Sequence, residues 1–353
     1  MRNVITTSTS RSETWDWSKK TVLVTGATGF LGGALIRKLI DCGASVVGVV
    51  RQVRPNSQLY RDGLNQHVRI ESGDVSNFNL MRRIFEEREF HAVFHTAYGA
   101  DVNRVLNEPL ECFRGNVQST WQMLDLMREL QPRCVSVISS SDKAYGCQEL
   151  PLRENKPLTP LHPYEVAKAS QDLVTQSYGK VFNLPTVVTR CGNFFGPNDL
   201  NMSRVIPGTL ERLSRGERPV LRSDGHSTRD FLYIEDAVDA QMLLAASILT
   251  APALYGEAFN FSYGMQLEVI ELVQRLIDLT GCQVTPVVAA GVKAEIPHLN
   301  LASDKAVELL CWRPSVGFEA GLKRTVAWYG DYFGADFSSI PYAGLRGDPA
   351  SCA

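Results

Sequence analysis

Three glycines spaced G-x-x-G-x-x-G, Gly26, Gly29 and Gly32, follow a short apolar run at residues 22–24 and lead into an amphipathic stretch at 34–40. A buried strand that breaks into a glycine turn and opens a helix is an arrangement that holds a dinucleotide pyrophosphate. Glycines let the backbone turn tightly and approach phosphate closely. The helix N-terminus supplies unpaired N–H groups and positive dipole charge. The spacing differs from the G-x-G-x-x-G fingerprint, and three glycines beside a strand also describe an ordinary turn. The remainder of the chain has to decide between the two.

Organisation along the chain favours the first. Further apolar runs at residues 44–50, 68–74, 92–97, 134–140 and 186–190 read as strands, with helical patterns between them, for example at 79–88 and 116–130. Such alternation predicts a doubly wound parallel sheet covered by helices on both faces. Beyond residue 193 the chain is less regular and richer in Gly and Pro. Pieces after residue 257 mix short strands and helices, which predicts a smaller second lobe. With 353 residues, 44% hydrophobic and 21% charged, the chain can bury a sizeable core. A net charge of −2 gives no case for nucleic acid or an anionic membrane. No apolar run approaches the roughly 20 residues that span a bilayer. Residues 1–14 are rich in Ser and Thr and lack the apolar core of a secretory signal. The eight cysteines form no C-x-x-C pair, so reduced thiols in a cytoplasmic protein are expected. The six histidines show no ligand spacing, so no metal is expected.

Two constellations carry chemistry. Tyr164 and Lys168, at i and i+4, share a helix face after a Pro-rich loop. An ammonium beside a phenol favours phenolate, and a phenol lowered toward neutrality is a usable base for an alcohol. Ser139 to Gly146 closes the fifth strand with hydroxyls, Asp142 and Lys143. Ligands in open α/β sheets bind at that edge. Each constellation alone also has a bland reading: a chance Y-x-x-x-K, or a polar turn capping a strand.

Together these residues resemble an extended short-chain dehydrogenase/reductase of the nucleotide-sugar epimerase/dehydratase type. The matching segments are Thr25-Gly26-Ala27-Thr28-Gly29-Phe30-Leu31-Gly32, Asp74-Val75, the Tyr164/Lys168 pair, residues 190–197 and residues 229–236. Leu301 to Lys305 and Cys311-Trp312-Arg313-Pro314 also fit. The resemblance runs from about residue 17 to 332, with the motifs in family order. Ser141-Asp142-Lys143 is similar to the Ser-Asp-Lys of CDP-glucose 4,6-dehydratases, where dTDP-glucose and GDP-mannose dehydratases carry Thr-Asp-Glu. Trp15 to Lys20 loosely resembles that subfamily as well.

The resemblance implies a Rossmann domain at 17–192, joined by 226–250, and a nucleotide-sugar lobe at 193–225 and 251–333. A disordered leader (1–16) and a loose tail (334–353) would flank them. NAD or NADP would be tightly held by Gly26, Thr28, Gly29, Phe30, Leu31, Gly32, Asp74, Val75, Ala97, Tyr98, Asn116, Ser139, Tyr164 and Lys168. No acid follows the second strand. Arg51 there suits a 2′-phosphate and tilts the choice to NADP, although a solvated Arg is the plain alternative. An NDP-hexose would meet Ser141, Asn193, Arg204, Val205, Pro219, Leu221, Arg229 and Asn260; guanidinium groups pair bidentately with phosphate. For single charges a surface salt bridge remains the alternative reading.

The implied reaction is 4,6-dehydration. Tyr164, helped by Lys168, takes the C4 hydroxyl proton as C4 hydride leaves, and Ser141 bonds that hydroxyl. Lys143 removes the C5 proton, protonated Asp142 feeds the leaving C6 hydroxyl, and hydride returns to C6. A same-fold alternative is a nucleotide-sugar 4-epimerase, with Lys143 a bystander. A different class is a non-catalytic NAD(P)-binding regulatory protein, against which the intact Ser141, Tyr164 and Lys168 argue. A homodimer is implied, through a four-helix bundle of the Tyr164 helix and the 116–130 helix, whose Val117, Trp121, Met123, Leu124 and Met127 offer surplus apolar surface.

Overall fold

The computed structural model describes residues 15–97, 102–289 and 296–337. Its centre is a seven-stranded sheet. Six strands fall where the apolar runs place them: β1 (Thr21–Thr25), β2 (Ser45–Val50), β3 (Val68–Ser72), β4 (Ala92–His95), β5 (Val135–Ser139) and β6 (Thr186–Cys191). The seventh, Ala258–Phe261, lies among the short strands expected after residue 257, but it joins the central sheet rather than a second lobe. It pairs in parallel with β6 at the sheet edge. The spatial order is Ala258–Phe261, β6, β5, β4, β1, β2, β3, and every pairing is parallel.

Because both faces are covered, the strands need apolar residues on both sides. Val22 and Val24 enter one core cluster and Leu23 the other, and Val46 and Val50 are likewise separated from Val47 and Val49. The helix α1 (Phe30–Asp41) lies on the first face with the helix Ile234–Ile248. The helices Phe78–Glu87 and Ser119–Leu130 cover the second. The chain order reverses between β1 and β4, so their C-terminal ends open the crevice where such sheets bind ligands.

The second lobe gathers the helices Val205–Ser214, Val269–Thr280 and Phe318–Phe333 around Phe195, Phe231, Tyr233 and Phe318. The expected leader and tail lie mostly outside the described residues. Their inner ends are packed: the Trp15 and Trp17 rings stand 4.5 Å apart, and Phe337 is buried. Among the described residues no helix is long and apolar enough to cross a membrane.

Candidate active site

The glycine turn is built by close approach. Gly26 has a φ of +72°, and a Cβ there would lie 2.8 Å from the Ala97 backbone across the β1–β4 crevice. A Cβ on Gly32 would lie 2.2 Å from the Gly26 carbonyl. Gly29 caps α1 with no side-chain partner for its first N–H groups, and those groups face the crevice mouth with the positive end of the helix dipole. Thr28 completes the turn, and Phe30 and Leu31 open α1. Asp74 accepts from the Ser76 N–H and hydroxyl, 2.9 and 2.8 Å. Partial burial pushes this carboxyl upward, but Ser76 and Arg51 together hold it below its ordinary range. Arg51, half-exposed just beyond β2, reaches Asp74 at 3.5 Å. Val75 and Ala97 are buried. Tyr98 lies outside the described residues.

The chemistry-bearing side chains converge at the C-terminal end of β5. A 3-10 turn, Asp142–Tyr145, follows it directly, with Ser141 as its cap. The facing helix, Pro163–Phe182, begins at His162, whose Nδ1 accepts the Tyr164 N–H. The Glu165 carboxylate accepts the N–H groups of Leu161 and His162. This capping box and Pro163 at the first turn set the helix start one residue before Tyr164. Ser140 Oγ donates to the Lys168 carbonyl at 3.2 Å, stitching the β5 exit to the same helix.

Ser141, Asp142, Lys143, Tyr164 and Lys168 are thus brought together. Ser141 Oγ donates to Asp142 Oδ1 at 2.9 Å. Asp142 is 2% exposed, and burial pushes its carboxyl well above the usual range against the pull of Lys143 and Arg229. The Lys143 ammonium stands 5.9 Å from the Tyr164 ring centre. The expected lowering of the Tyr164 phenol does not occur. Burial pushes it up to about 12. Lys168 Nζ is turned to the Ser139 carbonyl at 2.8 Å and Gln171 Oε1 at 3.0 Å. Burial lowers Lys168 to about 8.

Asn116 lies in a π-helical turn, Arg114–Gln118, a device frequent at functional sites. Its amide donates to the Cys112 carbonyl at 2.9 Å, while its Oδ1 is buried without a partner. Ser139 Oγ and Asp142 Oδ2 are also buried and unpartnered. Buried polar atoms are normally paired, so three orphans around one crevice mark positions that a bound molecule would satisfy. Together with the glycine cradle they fit a dinucleotide and a polar substrate.

The second lobe contributes Arg204, near enough to draw on Tyr164 and held by Asp199 at 3.0 Å. Arg229 draws on Asp142 and donates to the carbonyls of Thr228 and Pro297. Val205 opens the helix behind Arg204, and Asn193 donates to the Asp230 carbonyl at 3.2 Å. Of the expected substrate contacts, Asn260 is taken up within the fold. Asn260 is fully buried in the edge strand. Its side chain accepts from Tyr145 Oη at 2.8 Å and donates to the carbonyls of Leu152 and Ala302, so it has no surface for a nucleotide. Pro219 and Leu221 are buried, and their carbonyls accept from Val287 and Ala289. The sequence reading also passed over Gln171 and Thr120, and gave Asp230 no role although it lies in the matching segment 229–236. Of the first two, only Gln171 carried a signal, being three residues beyond Lys168 and on the same helix face. Asp230 accepts the N–H groups of Phe231, Met265 and Leu301, and burial pushes it up to about 7.

The chain is similar to known nucleotide-sugar dehydratases and epimerases. A dTDP-glucose 4,6-dehydratase of Streptomyces antibioticus is 30% identical over 322 residues, covering 88% of this chain and 92% of that protein. The UDP-glucose 4-epimerase of Thermotoga maritima, solved with UDP-glucose, superimposes with a TM-score of 0.80 at 28% identity, over 88% of this chain and 99% of that one. A dTDP-glucose 4,6-dehydratase of Streptomyces venezuelae, solved with NAD, gives 0.80 at 27% identity, over 89% and 98%. The family model described as NAD dependent epimerase/dehydratase family matches residues 22–260, well over half of the chain, and the chain belongs to that family.

Proposed function

We propose that the protein is an NDP-hexose 4,6-dehydratase of the CDP-glucose dehydratase kind, using NAD or NADP. The observation that carries this reading is the Ser141-Asp142-Lys143 turn. It sets a buried carboxyl with an unpartnered oxygen, and an amine, against Tyr164. Epimerisation at C4 needs one base and a ketone free to turn. Elimination across C5 and C6 needs a second base and an acid for the leaving hydroxyl.

Bound at the glycine turn, a nicotinamide dinucleotide would supply an acceptor that takes a hydride from C4 and returns it to C6. The chain's own residues do the rest. Tyr164 removes the C4 hydroxyl proton, and Ser141 orients that hydroxyl. The resulting ketone acidifies the C5 proton, which Lys143 takes and gives back to C5 when hydride reaches C6. Asp142, kept protonated by burial, gives its proton to the C6 hydroxyl as it leaves as water. Arg204 and Arg229 would meet the diphosphate, and Arg51, once free of Asp74, a 2′-phosphate. The active unit would be a homodimer.

The test is incubation with CDP-, dTDP-, GDP- and UDP-hexoses followed by mass spectrometry. Loss of one water supports the dehydratase; unchanged mass with inverted C4 makes it an epimerase. Tyr164→Phe is expected to abolish all turnover. Lys143→Ala and Asp142→Asn are expected to retain transient nicotinamide reduction, seen by its near-ultraviolet absorbance, while product falls by at least about a hundredfold. Dehydration by Lys143→Ala at the wild-type rate would remove Lys143 as the C5 base and with it the subfamily reading.

A further inference from the structure

Lys168 is buried, and among the described residues its ammonium has no carboxylate partner. Its two hydrogen-bond acceptors are neutral: the Ser139 carbonyl at 2.8 Å and Gln171 Oε1 at 3.0 Å. Among the described residues, the titratable groups that act on it from neighbouring elements are His95 of β4 and Cys112 of the helix Pro109–Phe113, and Tyr164 stands one turn earlier on its own helix. Burial keeps His95 down at about 3, hence neutral, and pushes the Cys112 thiol and the Tyr164 phenol up. Asp172, the next carboxylate along the helix, is committed to Arg190 through two hydrogen bonds of 2.7 and 3.0 Å.

Gln171 is fully buried, and its orientation is decided by what lies behind it. Its Nε2 donates to Thr120 Oγ1 at 2.8 Å. Thr120 Oγ1 in turn donates to the Asn116 carbonyl at 2.6 Å. A hydroxyl has a single hydrogen. Thr120 spends it on the π-turn carbonyl and can only accept from Gln171. The amide NH2 must therefore face Thr120 and the amide oxygen must face Lys168. Flipping the amide would set a donor against the ammonium.

We propose that Gln171, aimed by Thr120 and the carbonyl of the π-turn, is a positioning residue: it holds the Lys168 ammonium and sets the pH at which that ammonium loses its proton. A neutral acceptor holds the ammonium more weakly than a carboxylate would, which accords with Lys168 lying near 8 under the pull of burial. Lys168 then stays charged at neutral pH, yet within reach of titration. The kinetic part of this inference rests on the dehydratase reading; the titration of Lys168 does not.

The test uses the full chain, cofactor-free, with lysine labelled with carbon-13 at Cε. The Lys168 resonance is identified by its loss in Lys168→Met. The wild-type midpoint is expected at about 8. Gln171→Met is expected to lower it by at least about half a unit, and Gln171→Glu to raise it by at least about one unit. Thr120→Val should move it in the direction of Gln171→Met, and serves if that variant does not fold. In turnover with the accepted NDP-hexose, Gln171→Met should lose about tenfold in kcat with KM within about twofold. Gln171→Glu should restore most of that loss, and the alkaline limb of kcat should follow each midpoint. Equal midpoints in all folded variants overturn the proposal. So does a lowered melting temperature with no midpoint shift, which would make Gln171 a packing residue. Shifted midpoints in a protein that transforms no NDP-hexose would support the Gln171 assignment while overturning the dehydratase reading.

Discussion

At the scale of single residues, spacing puts Tyr164 and Lys168 on one helix face, and burial then separates their roles. Burial is the largest influence on the phenol and pushes it up, while the ammonium is turned away to Ser139 and Gln171. The cofactor-free protein is therefore expected to hold Tyr164 protonated throughout the neutral range. Below the phenol's value of about 12 the neutral form prevails, and only a new positive charge in the crevice would bring it down. In ultraviolet difference titration of wild type against Tyr164→Phe, no tyrosinate step should appear below about pH 10. A step near neutrality in the cofactor-free protein would contradict the structure. The same scale explains Asp142. Burial pushes its carboxyl up, toward the protonated form that an elimination requires and a solvated carboxylate would not supply.

Between elements, the two chemistry-bearing pieces are held at a fixed separation by one buried bracket. Arg190 of β6 is 2% exposed. It pairs with Asp172 on the Tyr164 helix and donates to Tyr145 Oη, 2.8 Å away, at the end of the Asp142 turn. Tyr145 passes the connection to Asn260 on the edge strand. Asp172→Asn leaves the guanidinium without its counter-charge in a site that excludes water. The expected cost is about 3–5 kcal/mol, read by urea denaturation. The loss should exceed that from removing a partner of an exposed pair such as Arg82 with Glu129, which solvent screens. If Asp172→Asn unfolds at the wild-type urea midpoint, the bracket is not what fixes the site. The capping box at His162 works at this scale too, fixing where the helix begins and so where Tyr164 projects.

For the whole molecule, the expected apolar surplus on the 116–130 helix is largely consumed within the protomer. Met123, Leu124 and Met127 are buried against the sheet, and Val117 packs on the cluster around Tyr164 and Cys112. Trp121, 45% exposed, is what that helix leaves at the surface, along with Leu173, 56%, on the Tyr164 helix. Leu106 and Leu110, 60% and 59% exposed, precede them in the chain. A dimer would bury these residues, and a charge at the centre of such a patch is strongly disfavoured. Sedimentation at micromolar concentration is expected to show a dimer for wild type and a monomer for Trp121→Glu. A monomeric wild type would contradict the assembly, and a dimeric Trp121→Glu would move the interface elsewhere.

Much of this was written in local pattern. The apolar runs, the glycine spacing and the Tyr164/Lys168 interval are set by strand and helix geometry, which repeats over a few residues and can be read along the chain. Six of the seven strands, the glycine turn beneath the crevice and the helix carrying Tyr164 follow from it. What tertiary structure alone decided depends on neighbours distant in sequence. The edge strand at Ala258–Phe261 is short and apolar like any core fragment, and only its pairing with β6 places it in the sheet. Asn260 carries the chemistry of a ligand contact until Tyr145, 115 residues away, claims its oxygen. The charge states of Asp142, Tyr164 and Lys168 depend on how much water the two lobes exclude, and no interval in the sequence records that.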